Sequence, residues 1–315
     1  MNPQYGEIDE SFYKESYERH SDWYNKLYPN DEDKRKQLRR NQLSPINNIN
    51  NWLQGVFFKC IDPLLLEKNQ KWLTVGDAYG YDANYILCSG VNEVIATDLN
   101  TDFLRISKQE EIIKQYDRQN AESLTYRDGE FDYVLCKESY HHFPRPYAAL
   151  YEMIRVSKKA IVVIEPQDPV SKMSLLLWVV NILSMINPRY IQKIWKNRFS
   201  YEKVGNYVYK VSEREFEKFA AGLGLPMVAF KKTNPNFWFE GIDEYLAISK
   251  EKKFRQIQFK KNILDFLVKI GLISSQVLST IVFKEKPTAK TIAAMKKDGY
   301  SFVNIPSNPY TQIVH

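Results

Sequence analysis

Two glycines in one turn, with a carboxylate further along the chain, are the first residues that could do chemistry. The turn reads Gly76-Asp77-Ala78-Tyr79-Gly80 and follows the apolar run 71–75. Glycine permits positive φ angles and lets a ligand approach the backbone closely. Asp98 ends the next apolar run, where a carboxylate can accept hydrogen bonds from both hydroxyls of a ribose. The pair predicts a site for an adenosine-containing ligand, and the alternative is a tight turn with an aspartate that caps a helix.

The charge inside the turn distinguishes between adenosine ligands. A dinucleotide presents a pyrophosphate to the backbone N–H groups of a glycine-rich turn, and the carboxylate of Asp77 would repel it. S-adenosylmethionine instead carries a positive sulfonium and an ammonium group. We therefore predict S-adenosylmethionine as the cofactor and S-adenosylhomocysteine as the product, and we predict no metal.

A second candidate segment, 137–142, follows the fourth predicted strand and holds two of the four histidines of the chain. Histidine titrates near neutral pH, which suits a general base. We favour His141 for this role, while a structural role for either histidine stays open. The further catalytic candidates are His142, Glu138, Tyr140 and Glu165.

Alternating strands and helices must position these residues. Predicted strands at 71–75, 93–97, 116–118, 131–136 and 159–164 are separated by helical segments, and two more strands are predicted at 227–232 and 278–284. This alternation is typical of a doubly wound α/β fold. We predict a Rossmann-like, seven-stranded, mostly parallel sheet with helices on both faces. Such sheets bind ligands beyond the carboxyl ends of their strands.

The remaining chain predicts additions to this core. We expect a helical N-terminal lid at 1–70, the cofactor-binding core at 71–166, a helical insertion at 167–210, the rest of the core at 211–286, and a C-terminal tail at 287–315. The aromatic residues of the first segment fit either a lid over a pocket or a helix packed on the domain. The insertion fits core or dimer packing best, and an acceptor pocket or a peripheral lipid contact by 173–186 are the alternatives.

Composition excludes several classes of protein. The apolar fraction of 44% and the charged fraction of 26% are typical of globular proteins. A net charge of +6 without long basic runs argues against a nucleic-acid partner and suits a polar or anionic small molecule. The three cysteines form no CxxC pair, so we expect a reducing, cytoplasmic environment. We also expect no signal peptide and no transmembrane segment, because the longest apolar run is too short to cross a bilayer.

Three blocks of sequence resemble the class I S-adenosylmethionine-dependent methyltransferases of the small-molecule type. They are Leu73–Gly80, Ala96–Leu99 and the long block that runs from Asn120 through the His-His-Phe element to Val156. The resemblance implies a cofactor site formed by Gly76, Asp77, Ala78, Tyr79, Gly80, Asp98, Leu99, Asn120, Ala121, Glu122 and Lys137. Within it, Asp98 would hold the ribose, and Lys137 would lie beside the methionine end.

The chain departs from the family pattern at two positions. An acid is usual where this sequence has Thr74, and a glycine is usual where it has Ala78. We hypothesise that Asp77 supplies the missing negative charge.

The predicted function is therefore methyl transfer to a small molecule, with a sugar or a nucleotide- or phosphate-linked carbohydrate as the candidate acceptor. An oxidoreductase of the NAD-binding Rossmann type and a non-catalytic protein that binds S-adenosylmethionine are the alternatives. A homodimer is an open alternative for the oligomeric state.

Overall fold

The computed structural model describes residues 11–41, 47–168, 174–187, 189, 199–201 and 207–309, and every structural statement below concerns these residues. One mixed sheet forms the centre of the fold. Its strands are β1 (Lys71–Val75), β2 (Glu93–Asp98), β3 (Gln115–Arg118), β4 (Phe131–Lys137), β5 (Ser157–Pro166), β6 (Met227–Thr233), β7 (Val277–Phe283) and β8 (Ser301–Asn304).

The strand order β3-β2-β1-β4-β5-β7-β6-β8 brings the predicted ligand-binding loops to one edge of the sheet. Strands β1 to β5 pair in parallel, and β7 lies antiparallel between β5 and β6. The order changes direction at β1, because the chain adds β2 and β3 on one side and β4 and β5 on the other. Open α/β sheets bind ligands at such a switch point.

The sheet has eight strands within the described residues, so the predicted count of seven was wrong. Strand β8 lies in the predicted C-terminal tail and pairs antiparallel with β6, with Phe230 opposite Ser301 and Met227 opposite Asn304. Without it, β6 would present an open row of N–H and C=O groups at the sheet edge. Four residues beside a segment rich in proline and asparagine carry too little periodicity to predict this strand.

Helices cover both faces of the sheet, as predicted. The helices are α1 (Ser11–Leu27), α2 (Asp31–Asn41), α3 (Ile49–Phe58), α4 (Tyr81–Cys88), α5 (Asp102–Gln109), α6 (Pro146–Val156), α7 (Ser174–Ile186), α8 (Glu213–Gly222), α9 (Lys252–Lys269) and α10 (Ala289–Lys297). Alternate side chains of a strand point to opposite faces. Trp72 of β1 accordingly lies in one core cluster and Leu73 in the other.

Local sequence accounts for several helix ends. Pro146 occupies the first turn of α6, where its missing N–H costs nothing. Ser212 and Glu215 form a reciprocal capping box at the start of α8. Helix α5 ends at Gln109, because the chain turns through Glu111 at φ 55° and then enters β3.

The segments outside the sheet differ in how far they are described. Tyr24 of α1 packs its ring edge against Tyr79 and Phe103, with ring centroids 5.9 and 6.0 Å apart. Part of the predicted insertion, with Lys193, Arg198 and Lys203, lies outside the described residues, as do the side chains of Phe12, Tyr13 and His20. Among the described residues, no helix combines the length and apolar character needed to cross a membrane.

Candidate functional site

A cavity of about 610 Å³ opens beyond the carboxyl ends of β1, β2 and β4. Its walls include ten of the eleven predicted cofactor residues, and Gly80 is the exception. From the predicted lid, α1 contributes four lining residues. These are Ser16, Tyr17, Ser21 and Tyr24.

The glycine turn after β1 requires glycine at its first position. Gly76 has a φ of +71°, and a Cβ atom there would lie 2.5 Å from Cβ of Ser139. The Ser139 hydroxyl donates a hydrogen bond of 2.6 Å to the Gly76 carbonyl oxygen. The turn is therefore fixed against the loop that follows β4, and these two loops form one wall of the cavity.

Asp77 directs its carboxylate towards the start of α4. It accepts hydrogen bonds from the backbone N–H groups of Asp82 (3.2 Å) and Ala83 (2.9 Å), and from the hydroxyl of Thr74 (2.9 Å). Its side chain lies in the cavity wall, yet the residue is only 4% exposed, and burial raises the pKa of its carboxyl. This geometry favours the helix-capping alternative over our hypothesis that Asp77 supplies charge to the ligand.

Asp98, the predicted ribose-binding residue, lies in the cavity wall. It ends β2 and lines the cavity beside Leu99, and one of its oxygens accepts a hydrogen bond of 2.9 Å from the Asn100 N–H. Burial raises the pKa of the Asp98 carboxyl to about 7, with the nearby negative charge of Asp77 adding to the rise. Since no basic side chain of the described residues forms an ion pair with Asp98, a ligand hydroxyl would be a favourable partner.

Lys137 forms an ion pair inside the cavity wall. Its ammonium nitrogen lies 3.2 Å from a carboxylate oxygen of Asp82 and 4.9 Å from the ring centre of Phe58. Burial lowers the pKa of Lys137, but the charges of Asp82 and Glu138 more than offset this and raise it above its usual value. Burial raises the pKa of Asp82 to about 7 despite the lysine.

The loop after β4 gives the two adjacent histidines different surroundings. A ring nitrogen of His141, Nδ1, is hydrogen-bonded to the buried carboxylate of Glu165, which also accepts from the N–H groups of Ser139 and Tyr140, both at 2.8 Å. His141 does not line the cavity, whereas His142 does, and the two ring centres are 3.9 Å apart. The structure thus gives His142, and not the favoured His141, direct access to the cavity.

The other catalytic candidates occupy different environments. Glu138 lines the cavity and has a positive φ of 52°, which turns the chain sharply after β4. Tyr140 is buried in the core and does not reach the cavity, and burial raises its pKa well above its usual value. Tyr140 is therefore a packing residue in this structure, contrary to its place among the catalytic candidates.

The loop after β3 supplies three of the predicted cofactor residues, Asn120, Ala121 and Glu122, to the cavity wall. Glu122 accepts hydrogen bonds from Arg145 N (2.8 Å) and Arg145 Nε (2.6 Å), so its charge is paired. The amide nitrogen of Asn120 donates a 3.4 Å hydrogen bond to the hydroxyl of Tyr17. This contact joins α1 to the loop after β3.

Sequence reasoning missed several other residues that line the cavity. Asn50, Asn51 and Gln54 lie on α3, and Trp238 and Asp243 come from the loop after β6. These segments meet in a cluster with Leu53, Ile242 and Phe254 at its centre. No local motif marks them, because they reach the cavity only through tertiary packing between distant parts of the chain.

The charges in the cavity wall are mostly negative. One ammonium, that of Lys137, accompanies six carboxylates, and the histidine is His142. The carboxylates belong to Asp77, Asp82, Asp98, Glu122, Glu138 and Asp243. Since Lys137, the one lysine or arginine of the described lining, is paired with Asp82, this lining does not favour the anionic acceptor considered from the net charge of the chain.

The residues present fit S-adenosylmethionine. Gly76 has no side chain, so a ligand can approach its backbone closely. The carboxylate of Asp98 can accept hydrogen bonds from a ribose, and the apolar Leu99 and Ala121 in the cavity wall can contact an adenine ring. The acidic lining suits a ligand that carries positive charge.

Comparison with known proteins agrees with this fit. Residues 73–164 match a family model described as a methyltransferase domain. No curated protein matches the chain.

Several solved structures of methyltransferases are similar to the chain at low identity. A 1,6-didemethyltoxoflavin-N1-methyltransferase from Burkholderia thailandensis, solved with S-adenosylhomocysteine, shares 11% identity over 86% of this chain and 88% of its own, with a TM-score of 0.47. A SAM-dependent methyltransferase from Archaeoglobus fulgidus shares 16% identity over 84% of this chain and 99% of its own, with a TM-score of 0.42. A SAM-dependent methyltransferase from Methanosarcina mazei shares 13% identity over 71% of this chain and 96% of its own, with a TM-score of 0.43.

Proposed function

We propose that the chain is a class I S-adenosylmethionine-dependent methyltransferase and that it methylates a small, polar acceptor that is neutral or positively charged. The match of residues 73–164 to a methyltransferase domain supports the first part of this proposal. The observation that carries this proposal is the shared cavity. Ten of the predicted cofactor residues line the same cavity as Asn50, Gln54 and Trp238. A donor and an acceptor could therefore bind together in that space.

The size of the cavity supports a small acceptor. Its volume of about 610 Å³ lies within the range of roughly 300–1,000 Å³ that is common for small-molecule sites. The cofactor must occupy part of this space. Residues 1–70 act in this proposal as the lid, because α1 supplies Tyr17 and Tyr24 to the cavity wall.

The lining favours a polyhydroxylated or amine-bearing acceptor over a phosphorylated one. The amides of Asn50, Asn51 and Gln54 can both donate and accept hydrogen bonds, which suits hydroxyl groups. A phosphate would lie among carboxylates, including Glu138 and Asp243, at a Coulomb cost. We therefore propose a sugar without phosphate, or a polar amine, as the acceptor class.

The proposed catalytic arrangement uses His142 as the general base. S-adenosylmethionine supplies an electrophilic methyl group, and the protein must align the acceptor and accept its proton. His142 faces the cavity, while His141 is held by Glu165 and packs against the His142 ring. In this proposal His141 and Glu165 are positioning residues, and Glu138 is the second group that could accept a proton.

The test is an acceptor screen that measures the release of S-adenosylhomocysteine. Neutral sugars, amino sugars and sugar phosphates are compared as matched sets that share one ring. We expect turnover with neutral or amino compounds and at least about a tenfold lower kcat/KM for the phosphorylated partners, since one misplaced charge costs more than about 1.4 kcal/mol in a partly buried site. Preferential turnover of the phosphates would contradict the proposed acceptor class.

One variant and one binding measurement separate catalysis from binding. Trp238→Ala is expected to raise KM for the acceptor without changing the affinity for S-adenosylhomocysteine, because Trp238 lines the cavity but is not one of the predicted cofactor residues. Calorimetry with S-adenosylhomocysteine and NAD tests the oxidoreductase alternative directly. Binding of S-adenosylhomocysteine without turnover of any acceptor would favour the non-catalytic alternative.

A further inference from the structure

Helix α9 (Lys252–Lys269) is apolar on two opposite faces. Its inner face packs Phe254 and Ile257 into the cluster shared with α3. Its outer face presents large apolar side chains to solvent, and Phe259 and Phe266 are 67% and 59% exposed. The exposed apolar residues are Phe259, Ile263, Phe266 and Ile270.

These four residues form one continuous stripe. Their spacing of four, three and four residues returns to the same side of a helix at each turn. At a rise of 1.5 Å per residue, the stripe runs for about 16 Å along the helix. Exposed apolar surface of this kind marks a binding surface rather than a solvated helix.

Basic side chains surround the stripe. The exposed basic residues of α9 are Lys252, Lys253, Arg255, Lys260 and Lys269. The single acidic residue of α9, Asp265, is engaged by Lys261 at 2.6 Å and by Asn234 at 2.7 Å. The outer face of the helix therefore combines aromatic and aliphatic residues with net positive charge.

We propose that α9 is a peripheral membrane-binding helix that docks on a surface of anionic lipid. Helices that lie in the membrane interface bury an apolar face while lysine and arginine residues contact the headgroups. Charge complementarity identifies the occupant. A second copy of the chain would bring the same lysines face to face, which costs free energy, whereas anionic headgroups pair with them.

The packing of α9 links this surface to the cavity. Its inner residues Phe254 and Ile257 belong to the same cluster as Phe237 and Phe239. Between these two phenylalanines lies Trp238, which lines the cavity and is 74% exposed. A membrane bound to α9 is therefore separated from the cavity wall by one packed cluster. The proposal concerns α9 and not the segment 173–186 for which a lipid contact was considered from the sequence.

Co-sedimentation of the full chain with vesicles tests the proposal. Vesicles of phosphatidylcholine alone are compared with vesicles of phosphatidylcholine and phosphatidylglycerol. We expect binding to the anionic vesicles only, with affinity that falls as salt is added. The double variant Phe259→Ser/Phe266→Ser is expected to lower the partition coefficient about tenfold for each phenylalanine removed, and Lys260→Gln/Lys269→Gln about fivefold for each lysine.

Matched controls make the result decisive. Met185→Ser/Ile186→Ser removes two equally exposed apolar residues from α7, and binding is expected to persist. Thermal unfolding shows whether each variant is folded, and sites this exposed should leave it unchanged. The proposal is overturned if the wild-type protein does not bind anionic vesicles, or if only the α7 variant loses binding. It is also overturned if sedimentation shows a dimer that the Phe259→Ser/Phe266→Ser variant abolishes. None of these readouts depends on methyl transfer, so the proposed function can fail or hold separately.

Discussion

Asp98 should make the affinity for S-adenosylhomocysteine depend on pH near neutrality. Burial raises the pKa of this carboxyl to about 7 in the free protein. Ribose hydroxyls that donate hydrogen bonds to it stabilise its charged form, so binding releases a proton wherever the free carboxyl is protonated. The raised pKa belongs to the free state, and affinity is therefore full above pH 7 and falls as the pH drops through 7.

The magnitude follows from the linkage relation. With a free-state pKa of about 7 and a much lower pKa in the complex, the apparent Kd grows about tenfold between pH 8 and pH 6, which corresponds to about 1.4 kcal/mol. Asp98→Asn cannot titrate and keeps one acceptor oxygen. It should weaken binding at pH 8 by about 1.5–3 kcal/mol, the value of one hydrogen bond to a charged group.

Isothermal calorimetry across this pH range provides the assay. Titration of the ligand itself is common to both proteins, so the difference between wild type and Asp98→Asn isolates the carboxyl. Asp82 is the matched control, because burial raises its pKa to about 7 as well, yet it pairs with Lys137. A wild-type slope that survives in Asp98→Asn and vanishes in Asp82→Asn would refute the assignment of the ribose to Asp98.

Three further predictions test the turn and the loop after β4. Gly76→Ala should lower the unfolding temperature far more than Gly129→Ala. Both positions have a positive φ, which costs an alanine about 1–2 kcal/mol, but only Gly76 also lacks space for a Cβ atom. Equal decreases in the two unfolding temperatures would contradict this prediction. Asp77→Ala should cost about 1–2 kcal/mol of stability by loss of a helix cap, and Asp77→Asn, which keeps one acceptor oxygen, should change cofactor affinity less than tenfold; a large loss of affinity in Asp77→Asn with unchanged melting would restore the charge hypothesis. His142→Ala should lower kcat by about 10²–10⁴ at unchanged S-adenosylhomocysteine affinity, and the idea fails if His141→Ala alone removes turnover without loss of stability.

The sequence carried the parts of the fold that local patterns encode. Buried strands read as short apolar runs, and the glycine turn with Asp98 marked the cofactor end because those residues lie next to the strands that position them. Strand β8 escaped because its only support is its pairing with β6.

The acceptor end of the site could not be predicted in the same way. Asn50, Gln54, Trp238 and Asp243 come from two segments that approach each other through the cluster around Leu53. Which of the two adjacent histidines faces the cavity also depends on the fold. A single turn of 3-10 helix at Tyr140–His142 decides which ring faces Glu165 and which faces the cavity, and sequence spacing does not encode that choice.

The hydrogen-bond and ion-pair partners of each carboxylate determine which ligands the acidic cavity can bind. Asp77 is bonded to the start of α4, Asp82 to Lys137, and Glu122 to Arg145, so these three are committed to the protein itself. Asp98 forms no ion pair within the described residues, and Glu138 makes only a 3.9 Å contact with Lys137, so these two carboxylates are more available to a ligand. Since counting acids in the sequence cannot separate the two groups, the mild positive charge of the whole chain gave the opposite expectation for the acceptor. The local field at the cavity wall, and not the net charge, determines which small molecules enter.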